Sequence, residues 1–414
     1  MIGQHKSQRR PGSVSDNDAD IAFVTAGVAA SDAWADALAA LEPWLLERQI
    51  ELTAVPAPTH FEALRAEWFR RAWGELGLEA AIDAAGNVLA LRPGRDPEAP
   101  LIALSAHLDT AFAPGTPVRP ERREGRIWAP GISDNGAGLA ALLALARILR
   151  DHAIPTRSGL LFVANVGEEG EGDLKGMRHL FGPESRVAPR IGCTLVLDGP
   201  GCDQITTQAL PSRRFKLLVT GPGGHSWSDL CRASALHAAI RIAAAFLAQV
   251  QPQAQVLGAN IGLMQGGSAV NAIAADAQLK LDLRACDAAG IELLAAALQR
   301  ALASGLEQEN AAALGGAVRA RLEPIGERPG GELPASAPLL HMVRAVDGHL
   351  GIAAQIQRAS TDANIPLSLR RPALRLGAGG SGGGIHTLQE WFDPTGRTLA
   401  LRRILGVTLL AANA

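Results

Sequence analysis

Tyrosine is absent from all 414 residues, so no phenolic hydroxyl can serve as an acid or an oxyanion donor. Cysteine is sparse, and Cys193, Cys202, Cys231 and Cys286 show no Cys-x-x-Cys spacing. That pattern speaks against a disulfide framework or a cysteine zinc site, and it reads as buried thiols in a reducing compartment. An excess of one charge is also missing. The 39 Lys and Arg against 41 Asp and Glu leave a net charge of -2, with no electrostatic reason to expect nucleic acid or an anionic membrane as partner. No apolar run approaches the length of a membrane-spanning helix. Arg9–Arg10 could open a twin-arginine export signal, but acidic and amide residues intervene before the short run IAFVTAGVAA, which does not suit one. The expectation is a flexible tail over 1–30 and a cytoplasmic enzyme.

What is present is an ordinary globular composition, 47% hydrophobic and 19% charged, in a chain longer than one core usually supports. Helical periodicity runs from Asp32 through ADALAALEPWLLERQIELTAV and again through FEALRAEWFRRAWGELG. Apolar strands then alternate with helices up to about 210, predicting an α/β fold whose mixed, mostly parallel sheet is sandwiched by helices. From 211 to 330 the order becomes βαββαβ, a separate α+β unit inserted as a lid or dimerisation domain. Residues 31–210 and 331–414 together would make the catalytic domain.

The chemistry gathers where strands end. LSAHLDT, Leu104–Thr110, runs a buried strand into a histidine and an aspartate two residues on. His107 could bind a metal while Asp109 takes its other N–H. Asp134 stands in SDNGAG before a long helix, where a simple N-cap is the bland alternative. Glu168 and Glu169 end the strand LLFVANV; adjacent carboxylates repel unless cations or protons neutralise them. One could bind metal while the other accepts a proton. Asp198 in LDGPG and His386 in GGGIHTLQEW complete a set of imidazoles and carboxylates that suits zinc, manganese or cobalt. The glycine run Gly377–Gly384 reads as backbone making a close approach to this site. The serines Ser105, Ser133 and Ser226 have no base at a recognisable spacing, so a serine hydrolase is disfavoured.

HLDT, GISDNGAG, GEEGEGDLKG, LDGPG, GPGGHSW, GGSAVNAI…LDLR and GGGIHTLQEW, in that order, resemble the M20 family of metallopeptidases. That family includes dipeptidases, tripeptidases, carboxypeptidases and N-acyl-amino-acid deacylases. The resemblance implies two divalent ions, most simply zinc, with cobalt or manganese possible. His107 and Asp198 would bind one, Glu169 and His386 the other, and Asp134 would bridge them. Glu168 would be the general base, with Asp109 behind His107. The resemblance also implies a cis peptide after Asp134. His225 would polarise the scissile carbonyl, often from the partner subunit of a homodimer, while Asn271 and Arg284 would hold substrate. Aspartate at 198, together with STDANIP over 360–366, resembles the aminopeptidase, dipeptidase and tripeptidase branches. The expected substrate is therefore a small peptide; an N-acyl-amino-acid deacylase is the alternative, and a non-catalytic binding module is a distant third.

Overall fold

The computed structural model describes residues 32–250 and 257–414, so the expected tail over 1–30 lies outside the described residues. The apolar strands collect into a nine-stranded mixed sheet. At its centre four strands run parallel, in the order Leu160–Asn165, Leu101–His107, Ile191–Leu197 and Ala373–Leu376. Every residue of Leu101–His107 and Leu160–Asn165 is buried, as a sheet covered on both faces requires. Side chains alternate between two layers. Ile102, Leu104 and Phe162 enter the larger core, against helices Glu42–Ala54, Ala63–Glu75, Gly136–Asp151, Pro338–Leu350 and Arg397–Asn413. Ala103, Leu161 and Val163 face the other way, towards Met177, Leu180 and Ile365.

Antiparallel strands finish the edges, Val88–Arg92 and Ala80–Ile82 on one side, Gln204–Ala209 and Gly331–Glu332 on the other. Gln355–Ala359 adds a parallel partner to Gln204–Ala209. These last strands are missing from the apolar pattern because glutamine and threonine occupy them; Thr206 and Thr207 are buried all the same. The periodicity that begins at Asp32 resolves into two helices, Ala35–Ala40 and Glu42–Ala54. Pro43 sits in the first turn of the second, where its missing N–H has no helical partner to lose.

Four strands between Ser212 and Arg328 form a separate antiparallel sheet, ordered Leu257–Gly266, Asp276–Ala285, Ser212–Thr220 and Arg319–Arg328. Leu217, Val219, Leu279, Leu281 and Leu283 pack against helices Ala235–Gln249 and Ala288–Ala312 in a core of their own. By alternation the opposite face carries Arg214, Lys280, Asp282 and Arg284. Of the four cysteines only Cys193 is buried. Cys231 is exposed in a surface loop at φ +68°, so the expectation of four buried thiols fails there. Among the described residues no helix is long and apolar enough to cross a membrane.

Candidate metal centre and active site

The parallel strands deliver polar side chains at their carboxyl ends, where ladder pairing stops and loops begin. His107 closes Leu101–His107, Asp198 follows Ile191–Leu197, and Glu168 and Glu169 follow Leu160–Asn165 through Val166 and Gly167. Asp134 reaches the same place from the loop ahead of helix Gly136–Asp151. Its neighbour Asn135, and not Asp134 itself, is the N-cap, accepting from the Gly138 N–H at 3.1 Å. The Asp134–Asn135 peptide is cis. His386 arrives on a turn between two strands of a small sheet, Ser381–Gly383 and Trp391–Asp393.

These side chains meet. Asp134 Oδ1 is 3.1 Å from His107 Nε2, and Asp134 Oδ2 is 3.3 Å from His386 Nε2. His107 Nε2 lies 4.0 Å from Asp198 Oδ1, and His386 Nε2 lies 2.8 Å from Glu169 Oε1. The cluster thus has two halves sharing Asp134. Ligand atoms of His107, Asp134 and Glu169 all fall within 4.8 Å of one another. Without cations these groups hold one another through protons. Hydrogen bonds to Asp134 and Glu169 push the His386 imidazole up to about 10. Burial opposes a charge on His107, but Asp109 and Asp134 outweigh it and raise the ring well above its ordinary value. Burial likewise opposes ionisation of Asp134, yet the two imidazoles hold it well below the usual carboxylate range. Nitrogen and carboxylate donors without thiolate, crowded closely enough to need positive charge, fit divalent cations.

Asp109 makes more contacts than the expectation names. His107 Nδ1 lies 3.0 Å from the Asp109 carbonyl oxygen but 3.6 Å from its carboxylate. The carboxylate instead accepts the Glu168 and Glu169 N–H groups at 2.9 and 2.8 Å and the Thr59 hydroxyl at 2.9 Å. The Asp109 carbonyl thus meets the His107 ring directly, while its carboxylate, close to the same ring, also fixes the loop holding both glutamates. Glu168 is buried at the cleft wall. Desolvation pushes its carboxyl up to about 8, with the Arg328 charge opposing and the Glu169 charge assisting. Arg328 Nη1 donates to Glu168 Oε1 at 2.9 Å.

Two residues at this site carry little local signal in the sequence. Arg328 sits in ERPGG, which reads only as a turn. Glu390, in the Trp-containing end of GGGIHTLQEW, accepts the N–H groups of Gly131, Ser133 and Asp134 at 2.8, 2.8 and 2.9 Å. It shapes the loop that presents Asp134, and proximity to His386 is the one hint the sequence offers. The glycine run also has its reason: a Cβ on Gly382 would stand 2.1 Å from Ser133 Oγ.

A cleft of about 820 Å³ opens over the cluster, and Arg214, Lys280, Arg284 and Arg328 also line it. His225 and Asn271 do not line it. They sit beside each other on the ribbon pairing His225 with Ala272, and both are exposed.

A strand-end cluster of imidazoles and carboxylates under a mixed sheet defines a class of metal-binding α/β proteins. The chain belongs to peptidase family M20/M25/M40, whose model matches residues 103–405. Membership implies a divalent metal centre. The chain is 35% identical over 121 residues to a Pyrococcus abyssi protein provisionally named a LysW-lysine/LysW-ornithine hydrolase, covering 29% of this chain and 32% of that protein. It is 34% identical over 95 residues to the N-carbamoyl-L-amino-acid amidohydrolase of Paenarthrobacter aurescens, covering 23% and 19%. The chain thus spans a third or less of the length of these curated relatives. The fold matches that of aminopeptidase PepT from Bacillus cereus with a TM-score of 0.69 at 21% identity, covering 90% of this chain and 99% of that one.

Proposed function

We propose that the protein is a cytoplasmic metal-dependent hydrolase cleaving an amide bond in a small peptide, as dipeptidases and tripeptidases do. The observation that carries this reading is Asp134, whose two oxygens face two separate imidazoles. His107 with Asp198 and Glu169 with His386 would each hold one divalent cation, with Asp134 shared. Zinc is the first expectation, cobalt or manganese the alternatives. A bound pair supplies Lewis acidity and makes water a stronger acid. Glu168 then accepts the proton of the attacking water and returns it to the leaving nitrogen. Arg284, its Nε held by Asp282 at 2.7 Å, offers the rest of its fork to a substrate carboxylate. Asn271 and His225 would complete the substrate site from the second subunit of a homodimer.

A second reading, hydrolysis of N-acyl or N-carbamoyl amino acids, draws on the likeness to the N-carbamoyl-L-amino-acid amidohydrolase. The same residues serve both, because the chemistry at the amide does not depend on its flanks. The test is a panel of dipeptides, tripeptides and N-acyl and N-carbamoyl amino acids, with the metal-loaded protein and after chelation. Glu168→Ala should keep its metal while turnover falls by about 10²–10⁴-fold. Glu169→Ala should lose metal. The reverse pattern would exchange the roles of the two glutamates, and full activity with chelator present would end the metal reading.

A further inference from the structure

The chain enters the inserted segment at Ser212 and leaves it at Arg328, and these two residues pair across the sheet. Arg328 is only 5% exposed. Its Nη1 donates to Glu168 Oε1 at 2.9 Å and to Ser360 Oγ at 3.2 Å, while its Nη2 donates to the Glu168 carbonyl oxygen. Among the described residues no other side chain hydrogen-bonds the Glu168 carboxylate. The rest of the segment is seated on the same loop. Lys280 reaches Glu171, Arg214 donates to the Gly170 carbonyl, and the Glu327 N–H donates to Asp173 Oδ1 at 2.9 Å.

A general base needs one carboxylate oxygen facing the proton it takes, and a glutamate side chain has several torsions through which to miss it. A guanidinium that grips both the carbonyl and the carboxylate of one residue fixes the torsions between them. We propose that Arg328 is the positioning residue for Glu168. It anchors Oε1 from the root of the inserted segment and leaves Oε2 for the reacting water. The seating of that segment on the Glu168–Asp173 loop thereby sets the geometry of the base. A lysine, a compact charge on a flexible stem without the rigid planar fork, would fix the two contacts less firmly. The inference rests on Glu168 being the base.

The test is a double-mutant cycle on the metal-loaded protein, using the best substrate of the panel and reading kcat, KM and metal content. Arg328→Ala is expected to lower kcat by roughly 10²-fold, with KM and metal content within about twofold of wild type. Arg328→Lys should recover only part of the loss, and guanidinium ion should restore part of the Arg328→Ala activity. Placed on Glu168→Gln, Arg328→Ala should cost less than about threefold more, because it acts through a carboxylate no longer present. Arg213→Ala, a loss of charge on the same sheet beside Glu292 and Glu327, should leave kcat unchanged. The inference is overturned if Arg328→Ala keeps kcat within about threefold of wild type, if the two losses multiply, or if metal leaves in step with activity. Should Arg328→Ala not accumulate as folded protein, Arg328→Lys carries the same cycle. A fully active Glu168→Gln would instead sink the assignment of the base itself, a result distinct from failure of Arg328 alone.

Discussion

Glu390 supports the cluster from behind, and its removal can be priced from its partners. Three main-chain donors would lose their acceptor in Glu390→Ala, at ~1–3 kcal/mol for each buried donor left unsatisfied. The loop presenting Asp134 would loosen with them, so melting temperature and zinc affinity should fall together, with Glu390→Gln between. Unchanged melting and binding would show that other contacts hold the loop. The same residues predict a pH dependence. Burial pushes Glu390 up to about 7 and Glu168 up to about 8, and hydrogen bonds to Asp134 and Glu169 push His386 up to about 10. Ordinary values are 4.5 for the carboxyls and 6.5 for the imidazole, so all three folded values are raised. The cation-free folded chain therefore holds protons that the unfolded chain has released. Stability from these groups is present below the unfolded values and is lost as pH rises through the folded ones. Metal-free protein should melt lower at pH 9 than at pH 6, and added zinc should raise the melting temperature more at pH 9. Equal melting at both pH values would contradict the shifts.

Helix Gly136–Asp151 is pressed onto the end of strand Ile191–Leu197, and a glycine permits it. A Cβ on Gly138 would stand 2.3 Å from both the Leu197 carbonyl and Asn135 Oδ1. Asn135 stitches the same junction, donating to the Leu197 carbonyl at 2.9 Å and accepting from the Gly199 N–H at 3.1 Å. Alanine forms helix better than glycine by ~1 kcal/mol, but Gly138→Ala should destabilise by ~1–3 kcal/mol of overpacking. It should also weaken metal binding, since Asp134 and Asp198 flank the junction. Gly74, late in helix Ala63–Glu75, has nothing within 4 Å of an added Cβ. Gly74→Ala should therefore stabilise by ~0.5–1 kcal/mol. Denaturant melts of the two variants check the contrast, and a stable Gly138→Ala would mean the junction can yield. At this scale the sequence is readable where an element is apolar or strongly periodic. The central strands and the long helices stand where their patterns put them. Gln204–Ala209 and Gln355–Ala359 are strands by tertiary pairing, which no local pattern records. Metal-type side chains at strand ends are visible as residue types, whereas Arg328 and Glu390 act across more than a hundred residues of chain and are not.

Across the whole molecule, the exposed ribbon of His225 and Asn271 stands apart from the residues that line the cleft. His225 Nδ1 accepts the N–H groups of Trp227 and Ser228 at 3.2 and 3.3 Å, so in the neutral ring Nε2 carries the proton and is the donor. Around it Trp227 is 80% and Leu230 64% exposed, large apolar groups that a second surface would cover. In the proposed homodimer this ribbon would reach over the partner's cleft, supplying a donor where negative charge develops, a role worth ~2.7–4 kcal/mol in comparable sites. His225→Ala should then lower turnover by roughly 10²–10³-fold while leaving metal content intact. Mixing it with Glu168→Ala separates the geometries. Each mixed dimer has one site with neither group and one with both, so statistical exchange should restore about a quarter of wild-type activity. If subunit exchange is demonstrated and the mixture stays as inactive as its parents, His225 does not act across a dimer. If His225→Ala turns over at the wild-type rate, the ribbon has no part in the reaction.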